Sequence, residues 1–214
     1  MSLSDEVYSL NFGFLGRLNV GKTSILNRFV EDTFESFLPT IGVFYRSKYI
    51  KIKEKKIKLQ IWDKPEDIHF YNKIRKIYYE NMDGIIAIYD VTSLDSFEDL
   101  KYLIKDFEKD KLRRKAFKVL VGNKCDCLDR VVTEEEGRKL ANDYKMNFFE
   151  TSAKTDQNII EIFYFMVNEI LKNRKDKKNN IIIKKFENPK RKKMLLFIIL
   201  IFISFFLRYI FHKL

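Results

Sequence analysis

Apolar runs alternate with amphipathic stretches along residues 8–172. The apolar runs YSLNFGFLG, GIIAIYDV, FKVLVGN and MNFFETS are typical of strands buried on both faces. KTSILNRFVE instead places Ile25, Leu26 and Phe29 on one face of a helix. Helix-like periodicity recurs near residues 95–112, 134–144 and 157–172. The alternation predicts an α/β fold with a mostly parallel sheet that binds ligands at the carboxyl ends of its strands.

Two neighbouring runs, VFYRSKYIKIK and KIKLQIWD, differ from this pattern because no helical segment separates them. Only Glu54, Lys55 and Lys56 join them, which is typical of a β-hairpin. We therefore expect one antiparallel strand in the sheet.

Charge is distributed unevenly along the chain. The formal net charge is +11, but residues 1–171 contain 28 basic and 28 acidic residues, so the excess lies after them. Residues 174–193 are rich in Lys and Asn and poor in apolar residues, as flexible linkers are. We expect the basic run 172–193 to contact anionic lipid and expect no nucleic-acid partner.

Residues 194–207, MLLFIILIFISFFL, carry no charge. Extended to Phe211, the segment has a helical length of about 27 Å, close to a thin bilayer if Arg208 reaches outward. The sequence therefore predicts a single-pass membrane anchor at 194–211, with in-plane or hairpin insertion and a core helix as alternatives. The expected organisation is a domain at 1–172, a basic linker at 173–193 and the anchor, with the basic flank on the cytosolic side.

Candidate chemistry begins in GRLNVGKT, where the first strand meets the first helix. Gly16, Gly21, Lys22 and Thr23 match the phosphate-loop pattern. Glycines let backbone N–H groups face phosphate oxygens, and the helix N-terminus adds partial positive charge. Lys22 can neutralise the terminal phosphates and the Thr23 hydroxyl can ligate Mg²⁺. The alternative is an ordinary glycine turn with a surface lysine.

The motif VGNKCD predicts which base is bound. The Asp126 carboxylate only accepts hydrogen bonds, so it can take the ring N–H and the amine of guanine together. Asn123 offers an amide to the base edge, and the stem of Lys124 can lie over the ring. The TSAK motif, at the end of the next strand, can present a backbone N–H to the guanine oxygen. The TSAK candidates for this contact are Ser152, Ala153 and Lys154.

Together these motifs, with FLPTIGV, KLQIWD and YYENMDGIIAIYDVTSLDSF, resemble a Ras-superfamily small GTPase, most closely the Rab branch, over about residues 8–172. The resemblance implies a P-loop NTPase G domain with a six-stranded sheet and five helices, GTP or GDP with Mg²⁺, and switch loops that bind effectors and regulators. Further nucleotide contacts that it implies are Asn19, Val20, Ser24, Phe37, Thr40 and Glu66. The metal ligands that it implies are Thr23, Thr40 and, through water, Asp63.

The chain departs from the family after Asp63. Where relatives read Trp-Asp-Thr-Ala-Gly-Gln-Glu, this chain reads WDKPEDI. Glu66 replaces a glycine, and Asp67, the one candidate catalytic residue, replaces the glutamine that orients water. Leu18 stands where relatives carry Gly or Ser. Because positioning supplies most of phosphoryl-transfer catalysis, the resemblance implies slow hydrolysis.

Two functions remain open. The chain is either a GTPase switch in vesicle trafficking or a guanine-nucleotide-binding scaffold that recruits partners without useful hydrolysis. No cysteine follows Cys127, so the hydrophobic segment would replace the lipid of prenylated Rab proteins. We expect the cytosolic face of an intracellular membrane: endoplasmic reticulum or Golgi, with the outer mitochondrial membrane as the alternative.

Overall fold

The computed structural model describes residues 7–34, 44–63, 79, 81–109 and 115–177. Contacts along the chain divide it into two units, Met1–Arg174 and Lys175–Leu214. The fold below is that of the first unit.

A six-stranded sheet forms the centre of the domain, with strand order β2-β3-β1-β4-β5-β6. The strands are β1 (Val7–Leu15), β2 (Phe44–Ile52), β3 (Lys55–Asp63), β4 (Gly84–Asp90), β5 (Phe117–Asn123) and β6 (Asn147–Thr151). Only the β2–β3 pair is antiparallel. The prediction of a mostly parallel six-stranded sheet with one hairpin is confirmed.

The turn of the hairpin lies earlier in the chain than the sequence suggested. Ile52 pairs with Lys55, so Lys53 and Glu54 form the turn. Lys55 and Lys56, which we expected in the turn, belong to β3 instead. This register buries the isoleucines of both strands on one face of the sheet, and the gain from that burial determines where the chain turns.

The described residues contain four helices: α1 (Lys22–Glu31), α2 (Leu94–Glu108), α3 (Glu134–Asp143) and α4 (Ile159–Lys177). The fifth helix implied by the resemblance is not among them. Ser93 caps α2, and Thr133 forms a capping box with Glu136 at the start of α3. Helix α4 runs to Lys177, past the expected boundary at residue 172.

Apolar side chains form one cluster on each face of the sheet. On one face α1 and α4 pack over β1 and β3, with the rings of Phe29 and Phe163 stacked at 3.8 Å between centroids. On the other, α2 and α3 pack over β4 and β5, where Tyr89 meets Phe97 edge to face. Because helices cover both faces of the central strands, polar side chains gather at the carboxyl ends of these strands.

Candidate functional site

The loop between β1 and α1 requires glycine at two positions. A Cβ on Gly16 would lie 2.3 Å from the carbonyl oxygen of Ile88, and one on Gly21 would lie 2.3 Å from Nδ2 of Asn123. Gly21 also has φ +95°, which disfavours other residues. Asn19 has φ +66°, which asparagine tolerates better than most residues. Both glycines of the motif therefore stand where neighbouring atoms leave no room for a side chain.

Lys22, the first residue of α1, is buried with 6% of its surface exposed. Its Nζ donates hydrogen bonds of 2.6 Å to the carbonyl oxygens of Gly16 and Arg17. A buried ammonium is costly unless it is hydrogen-bonded, and the loop carbonyls supply those bonds. The loop thus gathers a lysine cation and the N-terminus of a helix, which is the chemistry that phosphate binding needs.

Thr23 and Asp63 come together from different elements. Thr23 follows Lys22 in α1, and the 2%-exposed Asp63 ends β3. The Thr23 hydroxyl donates to Oδ2 of Asp63 at 2.5 Å. The described residues hold no group of three or more His, Cys, Asp or Glu side chains placed for a metal. A hydroxyl and a carboxylate are nevertheless the hard oxygen ligands that Mg²⁺ prefers, so this pair fits that ion.

Asn123 joins three loops at the ends of the strands. Its Nδ2 donates to the carbonyl oxygen of Val20 in the phosphate loop at 2.9 Å, and its Oδ1 accepts from the Thr151 hydroxyl of β6 at 3.1 Å. All of these atoms are buried. The sequence suggested an amide for the base edge, and that role stays a prediction. The structure gives Asn123 a tethering role that the sequence did not indicate.

The remaining VGNKCD residues form a turn beyond β5. Lys124 has φ +65°, and its Nζ lies 2.5 Å from Oδ2 of Asp90 at the end of β4. The Cys125 N–H donates to the carbonyl of Thr151 at 3.0 Å, which holds this turn against β6. Asp126 lies in the same turn, half-buried. The predicted base-reading carboxylate is thus attached to the same edge of the sheet as the phosphate loop.

The two thiols beside Asp126 both have raised pKa values. Burial, and then the Glu150 carboxylate, raises the pKa of Cys125. Burial, and then the Asp126 carboxylate, raises the pKa of Cys127. The thiolate is the reactive form of cysteine, so both side chains are less reactive at neutral pH than an ordinary thiol.

The TSAK loop is held by a residue outside every motif. Ser152 and Ala153 are buried and Lys154 is exposed. Arg28 of α1 donates from Nε to the Ala153 carbonyl at 2.9 Å and from Nη2 to the Lys154 carbonyl at 3.4 Å. Sequence reasoning missed Arg28, because its spacing in α1 carries no signal for a loop 125 residues away.

A second arginine outside the motifs braces the other side of this loop. Arg130 makes a two-bond ion pair with Glu150 of β6, at 2.6 and 2.9 Å. Paired N–H donors on a carboxylate fix both geometry and position. The turn after β5 and the strand before TSAK are therefore joined by a charged link that the sequence did not reveal.

Leu18 projects from the phosphate loop with 45% of its surface exposed. The preceding Arg17 is directed toward α2, with its Nη1 3.3 Å from Asp99 and 3.7 Å from Asp95. A large apolar side chain is thus half exposed on this loop, and its predicted effect on hydrolysis stays a prediction.

Several predicted features lie outside the described residues. They are Phe37, Thr40, Glu66, Asp67, the linker from 178 to 193 and the anchor at 194–211. Among the helices that the structure does describe, none combines the length and the apolar character needed to cross a bilayer.

Comparison with known proteins matches residues 12–172 to the model of the Ras family. The GTP-binding protein ypt2 of Schizosaccharomyces pombe is 38% identical over 181 residues, 84% of this chain and 90% of that protein. Human Ras-related protein Rab-8B is 38% identical over 175 residues, 81% of this chain and 84% of its own. Human Ras-related protein Rab-12 is 41% identical over 168 residues, 77% of this chain and 68% of its own.

Proposed function

The chain belongs to the Ras superfamily of small GTPases and is Rab-like, and on that premise we propose that it is a membrane-anchored switch that binds GTP and GDP with Mg²⁺ and hydrolyses GTP slowly. The observation that carries the proposal is the convergence of three groups at the carboxyl ends of the strands. These groups are the buried Lys22 of the phosphate loop, the Thr23–Asp63 pair and the Asn123 turn.

Each group has a separate task in this proposal. Lys22 and the N-terminal amides of α1 bind the phosphates, and Thr23 with Asp63 holds the metal, directly and through water respectively. When bound, Mg²⁺ neutralises the charge of the phosphate oxygens. Asp126 selects guanine by accepting two of its hydrogen bonds, with Ser152, Ala153 and Lys154 on the other side of the base. Phe37 and Thr40 are proposed to close over the nucleotide.

Slow hydrolysis follows from the side chains around the terminal phosphate. The half-exposed Leu18 crowds the space where an attacking water or an activating arginine would enter. Glu66 brings negative charge where a small neutral residue would serve better, and Asp67 has no amide donor with which to orient water. None of these changes touches Lys22 or Asp63, so nucleotide binding is retained.

The second candidate is a guanine-nucleotide-binding scaffold that recruits partners and does not hydrolyse GTP usefully. The same three residues, Leu18, Glu66 and Asp67, favour it. The fold, the bound nucleotide and the membrane attachment are the same as in the first proposal, and only the rate of GTP hydrolysis differs.

The proposed place of action is the cytosolic face of an intracellular membrane, where Rab-like GTPases direct vesicle traffic. Support comes from the uncharged run at 194–207 and the basic residues at 190–193 before it. Anionic lipid would meet the basic run at 172–193. Endoplasmic reticulum or Golgi fits this arrangement, and the outer mitochondrial membrane is the alternative. The switch loops would bind effectors and regulators.

The test begins with the nucleotide that copurifies with the chain, followed by single-turnover hydrolysis. We expect GDP or GTP, absent from a Lys22→Ala control, and a rate below the intrinsic Ras value of about 4 × 10⁻⁴ s⁻¹. A Leu18→Gly variant should hydrolyse several-fold faster. A rate at or above the Ras value in the unmodified chain would contradict slow hydrolysis. Bound GTP that never turns over, even in the Leu18→Gly variant, would favour the scaffold.

A further inference from the structure

The outer face of the β2–β3 hairpin carries a basic surface that the nucleotide site does not use. Residues 46–58 contain seven basic residues and one acid. Strand alternation turns the isoleucines of the hairpin toward α1 and α4 and leaves the opposite face to polar residues. We call this face the hairpin patch, which consists of Tyr49, Lys51, Lys53, Lys56 and Lys58.

Lysines of the hairpin patch lie directly across from one another. Lys51 of β2 pairs with Lys56 of β3, and Tyr49 pairs with Lys58. Like charges placed opposite each other destabilise a sheet. Lys53 adds another cation at the turn, with φ +55°, where glycine or asparagine would cost less. The hairpin thus has two locally destabilising features, the opposed lysines and the positive φ of Lys53, and both place positive charge at this end of the hairpin.

Among the described residues, one carboxylate contact partly offsets the charge of the patch. Lys51 contacts Glu54 at 3.5 Å, and both side chains are mostly exposed, so the pair is weak. Lys56 and Lys58 instead lie over the ring of Tyr49, at 5.0 and 5.8 Å from its centroid.

The hairpin patch lies at the edge of the sheet where the folded domain ends. Ile170 and Leu171, in the last turns of α4, belong to the same apolar cluster as Ile50, Ile52 and Ile57 of the hairpin. Arg174, at the end of the first unit, pairs with Asp83 just before β4, so this unit ends on the side of the sheet where the parallel strands have their amino ends and where the hairpin turns. The proposed nucleotide site is at the opposite end of the sheet, where the parallel strands have their carboxyl ends.

We propose that the hairpin patch docks on an anionic lipid bilayer, as a second membrane contact beside the C-terminal anchor. This inference rests on the membrane attachment proposed above. Lysines with long apolar stems around an exposed tyrosine suit the interface between water and lipid headgroups, where both residue types keep a polar end wet. Anionic headgroups supply the counter-charge that the patch lacks. Docking in this way turns the nucleotide site away from the membrane and toward soluble partners.

The test uses the full chain incorporated in vesicles of phosphatidylcholine alone or with about 30 mol % phosphatidylserine. Exposed lysines are acetylated with an amine-reactive ester, and labelling is read for each residue by mass spectrometry. We expect Lys51, Lys53 and Lys56 to label at least about threefold more slowly on the anionic vesicles, and we expect this protection to be lost at about 0.5 M salt. Lys139 and Lys145, exposed on and after α3, should label equally on both.

A charge-reversal pair provides the second readout. Lys51→Glu with Lys58→Glu places an acid opposite Lys56 in place of the like-charge pair, so we expect the variant to fold and to keep its nucleotide while Lys53 loses its protection. In the matched control, Lys139→Glu with Lys145→Glu, Lys53 should remain protected. Equal labelling of the unmodified chain on both vesicles would overturn the inference. Protection that requires an added acidic protein or RNA, and not lipid, would replace the bilayer with that partner.

Failure of this inference can be told apart from failure of the proposed function. If the chain floats with neutral vesicles and binds GTP but the hairpin patch is unprotected on anionic ones, only the patch assignment is wrong. If the chain does not float with neutral vesicles, the anchor is wrong. Loss of nucleotide binding would overturn the switch itself.

Discussion

Replacing Asn123 with alanine removes both side-chain hydrogen bonds by which this residue connects the end of β5 to the phosphate loop and to Thr151 of β6. The partners left behind, the Val20 carbonyl and the Thr151 hydroxyl, are in a buried region where water cannot replace the amide. Each buried group left without its bond costs about 1–3 kcal/mol. We therefore expect Asn123→Ala to lower the free energy of unfolding by about 3 kcal/mol.

A double-mutant cycle with Thr151→Val isolates one of these bonds. Thr151→Val alone should lower the free energy of unfolding by about 1–2 kcal/mol, because it removes the hydroxyl that donates to Oδ1 of Asn123. The bond from Asn123 to the Val20 carbonyl stays intact. The two single changes share the hydrogen bond between Asn123 and Thr151, so the double variant should lose about 1 kcal/mol less than their sum. Neither effect depends on contact between Asn123 and a base.

The assay is urea unfolding with saturating GDP and Mg²⁺, repeated at a tenfold higher GDP concentration. Ligand adds to stability by mass action, so the repeat separates weaker binding from a weaker fold. With a slope of about 2 kcal/mol per molar urea, Asn123→Ala should lower the midpoint by about 1.5 M. An unchanged midpoint with weakened GDP binding would refute the tether, and so would strict additivity in the cycle.

Three further changes test other parts of the molecule. Asp126→Ala should lose about 3 kcal/mol of guanine recognition, about 100-fold in nucleotide competition, and unchanged selectivity would exclude this carboxylate as the base reader. Burial, and then Glu150, raises the pKa of Tyr89 above its ordinary value of 10.0, so the folded state favours the neutral phenol. Its contribution to stability is complete below pH 10 and is lost as pH rises further. Tyr89→Phe should therefore lose less unfolding free energy between pH 9 and pH 11 than the unmodified chain, and identical alkaline profiles would contradict this. Deleting residues 194–214 should move the protein from the membrane fraction to the cytosol, whereas continued membrane association would show that another element holds it.

Strands and loops of the site were predictable because their signals are local. A buried parallel strand is a short apolar run, and the spacing from Gly16 to Thr23 is itself the condition for a phosphate loop. The exact hairpin turn was not predictable, because Lys53, Glu54, Lys55 and Lys56 are all polar and only the cross-strand register separates turn from strand.

The connections between the loops were beyond the sequence. Arg28 and Arg130 carry no motif, and each acts on a group brought near only by folding: the Ala153 carbonyl and the Glu150 carboxylate. Asn123 shows the same limit, although it lies within a motif. Its motif was recognised, but local spacing could not indicate that its amide would bond two other loops.

The links made by Asn123 and Arg28 join the phosphate loop, the end of β6 and the TSAK loop to each other and to α1. Displacing one loop therefore weakens its bonds to the others. If these loops hold the two ends of a nucleotide, as proposed, we expect the nucleotide to be released in one all-or-none step. A protein that catalyses exchange would then need to displace one loop, and the other loop would follow.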